Sequence, residues 1–141
     1  MSALYTTKAT ASAGRNGKVS TDDGLLTLDL SYPKEMGGTG AATNPEQLFA
    51  AGYAACFSNA ILHVAREAKI SLKSAPVSAE VGIIQNENGG FALTVNLAAT
   101  LELPEQQAVE LVTKSHQVCP YSNATRGNIA VGVTANGIKI A

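Results

Sequence analysis

The chain has 141 residues, with ten Lys+Arg against eleven Asp+Glu and a net charge of -1. That length suggests one domain spanning residues 1–141, with enough core to fold alone. Charged residues are only 15% and hydrophobics 45%, which argues against disorder, and the balanced charge argues against nucleic-acid binding driven by bulk electrostatics.

The first residues, Met1 to Lys8, lack a basic region followed by an apolar run. No secretory signal is expected there, and the cytoplasm is the default location. Weakly alternating small residues lead to Arg15-Asn16-Gly17-Lys18, a hairpin signal, because Asn-Gly tolerates positive φ. Asp22-Asp23-Gly24 gives a second turn. Leu26, Leu28 and Leu30 then alternate with polar residues as in a half-buried strand. The N-terminal quarter therefore predicts a meander of about three strands. Gly37-Gly38-Thr39-Gly40 is a flexible loop; it lacks the Gly-Lys-Ser/Thr of a phosphate loop, so nucleotide binding is set aside.

Thr43 or Asn44 can cap the next helix, Pro45 suits its first position, and Glu46 suits its positive end. The helix is expected to run to Ala68. Gln47 to Ala65 carries no formal charge. A buried helix, apolar nearly all round, is a better reading than a membrane span, because Gln47, Ser58, Asn59 and His63 interrupt it and Ala dominates. Val77–Gln85 reads as a strand and Asn86–Gly90 as a turn. Phe91, Leu93, Val95, Leu97, Ala99 and Leu101 alternate as a second strand. Pro104 opens a helix to about Val118, and Pro120 discourages its continuation. A strand over 129–134 turns at Asn136-Gly137 into Ile138–Ile140. The order predicts an α+β fold, an antiparallel sheet packed against two main helices.

Cys56 falls within the long helix and Cys119 at the end of the second. Two cysteines are too few for a secreted disulfide framework. Taken alone they can be inert core residues. Cys56 with His63, and His116 with Cys119, are spaced to share helix faces, which leaves a structural zinc set open. A reactive thiol needs a cation to lower its pKa. Arg15 at a turn and Arg126 beyond Cys119 are candidates, and each reads equally as a solvated charge. No Gly-x-Ser-x-Gly hydrolase elbow is present.

Thr43-Asn-Pro-Glu-Gln-Leu-Phe-Ala-Ala-Gly-Tyr-Ala-Ala-Cys-Phe57 and Val118-Cys-Pro-Tyr-Ser-Asn-Ala-Thr-Arg-Gly-Asn128 resemble the two signature segments of the organic hydroperoxide resistance proteins, in the Ohr/OsmC family. Ala13-Gly14-Arg15-Asn16-Gly17 is similar to that family's N-terminal arginine turn. The likeness runs from about Tyr5 to Ile140; Ala13 and Ala42 depart from expected glycines. The resemblance implies an OsmC/Ohr-like fold, an intertwined homodimer, and a thiol peroxidase for organic hydroperoxides that uses no metal, haem or other cofactor. It implies Cys56 as the peroxidatic thiol, Cys119 as the resolving thiol, and Arg15 and Glu46 as polar activators. It also implies a disulfide reduced by lipoylated proteins, with no nucleic-acid or membrane partner. Two other readings remain: an apolar acyl-binding module without turnover, and a zinc-stabilised structural domain.

Glu46 stands ten residues before Cys56. On one unbroken helix that is about 15 Å along the axis. Either the helix breaks, with Gly52 the natural place, or each site takes Glu46 from the partner chain. The second is preferred, because an Ala- and Gly-rich helix allows close packing and the resemblance implies a dimer.

Overall fold

Turn chemistry organises the N-terminal strands. The computed structural model describes all 141 residues, which divide into two compact units, Met1–Leu48 and Phe49–Ala141. In the first, β1 (Ala9–Ala11), β2 (Lys18–Thr21) and β3 (Thr27–Asp29) form a three-stranded antiparallel sheet in the order β1-β2-β3. The expected meander is present. The Asp23 carboxylate closes the β2–β3 turn, accepting from the Leu25 N–H at 3.0 Å and the Thr21 hydroxyl at 2.7 Å. These bonds hold its carboxyl below the usual range. Strand β3 is shorter than the leucine alternation predicts: Leu30 is buried and Leu28 half-buried, but Leu26 is exposed. Ala13 adopts φ −147°, so the glycine expected there is not needed.

The glycine-rich segment folds back on its own unit. Gly40 N–H donates to the Tyr32 carbonyl at 3.0 Å, and a Cβ on Gly38 would collide with the Tyr32 backbone. Close packing accounts for Gly38 without any phosphate.

Helix α1 (Pro45–Glu67) begins at Asn44. Of the two expected caps it is Asn44 that acts: its Oδ1 accepts from the Gln47 N–H at 2.9 Å. The helix runs through Gly52 without a break, so the interrupted-helix solution is excluded. Gly52 has a different use: a Cβ there would lie 2.8 Å from the Tyr121 hydroxyl and 3.2 Å from its ring. Glycine lets that ring lie against the helix. The expectation of burial nearly all round is corrected. Tyr53, Phe57, Ala60, Ile61, Val64 and Ala65 are buried, whereas Ala51, Ala55, Asn59 and His63 are exposed. Alanine-rich composition makes every face apolar, but within this chain only one stripe meets a partner. The helix is long and apolar enough to cross a membrane by length and hydropathy. Its buried stripe belongs to the protein core.

The second unit carries β4 (Val77–Gln85), β5 (Phe91–Ala99), β6 (Val131–Ala135) and β7 (Ile138–Lys139) as a four-stranded sheet in the order β4-β5-β6-β7. Pairing is antiparallel except between β5 and β6, which are parallel. This departs from the antiparallel expectation. The cause is the connection: α2 (Glu105–Val118) and α3 (Pro120–Thr125) carry the chain back to the starting end of the sheet. Helix α3 lies between the second expected helix and the strand over 129–134, where the sequence predicts no element. Pro120 does stop α2, but proline also suits the first position of a new helix. Val95, Leu97, Val133 and Ala135 from the sheet join Leu111 and Val112 of α2 and the α1 stripe in one core. Phe57 is fully buried there, so its truncation to alanine should cost roughly 3–5 kcal/mol. Asn136 pins the sheet end, accepting from the Leu101 N–H at 2.7 Å and donating to the Leu101 carbonyl at 3.0 Å.

Candidate thiol site

Cys56 lies at the edge of the buried stripe of α1, half-buried beside fully buried Phe57. Cys119 is the linking residue between α2 and α3. Its N–H donates to the Ser115 carbonyl at 2.9 Å, and its carbonyl accepts from the Asn123 N–H at 3.0 Å. Its side chain is fully buried. Both cysteines are free thiols, and the Cys119 thiol faces the Cys56 sulfur at 3.7 Å. A disulfide has its sulfurs about 2.05 Å apart, so closure asks for a small side-chain movement.

Burial pushes the Cys56 thiol above its ordinary pKa, and the neighbouring Cys119 pushes the same way. The backbone N–H of Tyr121, in the first turn of α3, opposes them by hydrogen bonding to the sulfur. Apolar surroundings favour the neutral thiol, so a nucleophilic thiolate needs added positive charge.

Arg15 and Glu46 form a second pair, complete within the first unit. The guanidinium donates from Nη1 to Glu46 Oε1 at 2.6 Å and from Nη2 to Oε2 at 2.8 Å. This two-pronged geometry is the strong form of a carboxylate pair. The side chains are 21% and 15% exposed, so the pair is part-buried and water screens it in part. The bond to Arg15 holds the Glu46 carboxyl below the usual carboxylate range, and the bond to Glu46 raises Arg15 further. The guanidinium also lies 6.0 Å from the centroid of the Tyr32 ring. Glu46 occupies the first turn of α1, where the helix end favours an anion. The four residues singled out by sequence are thus brought together as two pairs, one in each unit.

The remaining candidates have other partners. Arg126 donates to the Asn123 side chain and to the His116 carbonyl, tying α3 to the end of α2. His63 pairs with Glu67 at 3.3 Å on the exposed face of α1. His116 Nδ1 bonds Ser122 Oγ at 2.8 Å. Burial first, then the Arg126 charge, holds His116 below its ordinary pKa and favours neutral imidazole. No group of three or more His, Cys, Asp or Glu side chains comes together that could hold a metal. Sequence reasoning passed over Tyr53, Ser122 and Thr125. Tyr53 Oη lies 2.9 Å from Ser122 Oγ and 3.2 Å from Thr125 Oγ1. The signal was available: Tyr53 precedes Cys56 by one helical turn, and both hydroxyls sit in the run that follows Cys119.

A three-stranded antiparallel sheet in the first unit, and in the second a long helix and a mixed sheet with a helical crossover that carry two facing thiols, define a recognisable class. Residues 38–134 match the family model described as OsmC-like protein, and the chain belongs to that family. It is 49% identical to the organic hydroperoxide resistance protein OhrB of Bacillus subtilis, over 92% of this chain and 96% of that protein. It is also 49% identical to the organic hydroperoxide resistance protein of Xanthomonas axonopodis pv. citri, over 93% and 94% of the two chains. A Vibrio cholerae crystal structure superimposes with a TM-score of 0.98 at 71% identity, covering 99% of this chain and 97% of that one. That structure holds a molecule of captopril in one of its active sites.

Proposed function

We propose that this protein is a thiol peroxidase that reduces organic hydroperoxides to alcohols and so protects the cell against them. The observation that carries the reading is the pair of free thiols 3.7 Å apart, one buried and one half-exposed. The Cys56 thiolate attacks the terminal peroxide oxygen, the O–O bond breaks and an alkoxide leaves; it takes up from solvent the proton that Cys56 released on ionising, and departs as the alcohol. The resulting sulfenic acid condenses with the Cys119 thiol to a disulfide and releases water. Condensation stops the sulfur before irreversible sulfinic acid. Arg15 supplies the positive charge that burial makes necessary, stabilising both the thiolate and the charge developing on the leaving oxygen. Glu46 orients Arg15. The relatives are named for organic hydroperoxide resistance, which supports the substrate class. The apolar surroundings of Cys56, which packs against the core beside fully buried Phe57, suit a bulky apolar peroxide better than hydrogen peroxide.

The working form in this reading is a cytoplasmic homodimer. The alanine-rich face of α1 that this chain leaves exposed suits close packing against a second copy. Each site combines the cysteines of one chain with Glu46 of the other. The reductant is a dithiol of the lipoyl type, which displaces the disulfide and closes its own ring in one encounter, at high effective concentration. The test is consumption of cumene hydroperoxide against hydrogen peroxide by the reduced protein, with dihydrolipoamide or glutathione as reductant. The reading expects preference for the organic peroxide and for the dithiol. Absence of peroxide consumption would overturn it.

A further inference from the structure

Four polar side chains near Cys119 form one chain of hydrogen bonds, and their proton count fixes its direction. Thr125 Oγ1 donates to the Ser122 carbonyl at 3.2 Å. Its single proton is then used, so in its 3.2 Å contact with Tyr53 the tyrosine hydroxyl must be the donor. Tyr53 has no second proton, so Ser122 Oγ donates to it across 2.9 Å. Ser122 in turn has none left for His116, so His116 Nδ1 carries the proton in the 2.8 Å bond between them. The order runs His116, Ser122, Tyr53, Thr125, and ends on the Ser122 backbone. Tyr53 and Ser122 are fully buried, and Thr125 nearly so. Water cannot replace a broken link there without entering the core.

These side chains come from three elements that meet at the two sulfurs. Tyr53 stands one turn before Cys56 on α1, His116 one turn before Cys119 on α2, and Ser122 and Thr125 stand on α3. Cys119 has an extended ψ of 123° and is the pivot between α2 and α3. The Ser122–His116 bond spans that pivot, and the Ser122–Tyr53 bond ties the same hydroxyl to the helix that carries Cys56.

We infer that His116, Ser122 and Tyr53 are positioning residues which staple the Cys119 pivot to α1, and so set how readily the Cys119 thiol reaches the Cys56 sulfur. The inference rests on the peroxidase reading only in assigning this closure to the sulfenic acid step, Cys56–SOH plus Cys119–SH giving a disulfide plus water. The staple itself concerns thiol proximity, which can be measured without peroxide.

The experiment therefore has two arms, run on the full chain with Ser122→Ala, His116→Leu and His116→Asn. Asparagine can present an N–H close to where imidazole Nδ1–H stands, and leucine cannot. In the first arm, each protein is equilibrated with reduced and oxidised dithiothreitol, and the Cys56–Cys119 disulfide is quantified by mass spectrometry. In the second, reduced protein meets excess cumene hydroperoxide and Cys56 sulfinic acid is counted. The staple predicts roughly tenfold less disulfide at equilibrium in Ser122→Ala and His116→Leu (about 1.4 kcal/mol), with near wild-type behaviour restored in His116→Asn. It also predicts more sulfinic acid in the first two variants. Wild-type disulfide equilibria in both Ser122→Ala and His116→Leu overturn it. So does equal loss in His116→Asn and His116→Leu, since the donor would then be irrelevant. Should Ser122→Ala fail to fold, the two His116 variants decide. A shifted dithiothreitol equilibrium with no peroxide consumption even by wild type would keep the staple and sink the peroxidase reading.

Discussion

The Arg15–Glu46 pair and the Cys56–Cys119 pair are both polar couples in largely buried surroundings, and those surroundings act on them in opposite ways. Arg15 and Glu46 each hold the other charged: the guanidinium is raised and the carboxyl lowered. Cys56 is pushed toward its neutral form, first by burial and then by its neighbour thiol, against one backbone N–H. The difference lies in what each couple offers. Opposite charges in a two-pronged geometry compensate their own desolvation, whereas two thiols supply no charge to each other. A sulfur in an apolar site is protected from stray chemistry but poorly ionised. A part-buried ion pair stores fixed charge but has no nucleophile. The proposed reaction needs both properties, and single substitutions separate the two couples.

The largest effect is expected at the sulfurs. Cys56→Ser should abolish peroxide consumption in a stopped-flow assay. Cys119→Ser should keep the first attack but lose turnover, and mass spectrometry should find added oxygens on Cys56. Equal loss of the first attack in both variants would show that the two thiols do not divide the labour.

Next is the charge. Arg15→Ala should slow attack by roughly 10²-fold, the equivalent of about 3 kcal/mol. Because Cys56 is already raised by burial, removing a cation should raise it further and shift the rising limb of the rate–pH profile to higher pH. Arg126→Ala should leave that limb in place, since Arg126 is committed to Asn123 and the end of α2. The opposite pattern would assign thiol activation to Arg126.

Glu46 should have a moderate effect, and its chain of origin can be tested. Mixed dimers of Cys56→Ser and Glu46→Ala subunits should recover part of the wild-type rate, because one site would carry both lesions and the other neither. Confirmed heterodimers without recovery would place Glu46 and Cys56 in the same chain's site.

The smallest effect concerns stability. Glu46 has a lowered folded pKa, so its stabilising contribution is present above the ordinary carboxylate pKa and is lost as pH falls through the lowered value. Glu46→Gln should therefore destabilise the protein by about 1–3 kcal/mol near neutral pH and by progressively less in acid. Urea unfolding of both proteins across that range measures it. A gap that is constant with pH would mean that the pair contributes no charge-dependent stability.

Much of this architecture is legible in the residues. Asn44-Pro45-Glu46 starts α1 because cap, proline and anion agree on one helix end, and alternation from Phe91 onward makes β5. Legibility fails where composition is uniform or where one residue serves two purposes. Alanine on every side of α1 gave no clue to which stripe this chain would bury. Pro120 both stops α2 and starts α3, and the local sequence does not reveal the second role. The parallel β5–β6 pairing is a consequence of that crossover. At the site, residue types and spacing left Cys56 and Cys119 open between core packing, zinc and catalysis. The family resemblance singled out the two thiols with Arg15 and Glu46. Of the His116–Ser122–Tyr53–Thr125 chain the sequence shows only polar residues beside the two cysteines; their bonding joins positions up to 72 apart.

Everything in the proposed reaction depends on Cys56 and Cys119 being a peroxide-driven redox couple. Its most direct test is peptide mapping of the reduced protein after one equivalent of cumene hydroperoxide, with no reductant present. A redox couple should lose two thiol hydrogens, give a single cross-linked peptide joining Cys56 to Cys119, and release one equivalent of alcohol. Unconsumed peroxide with both thiols still free would contradict it.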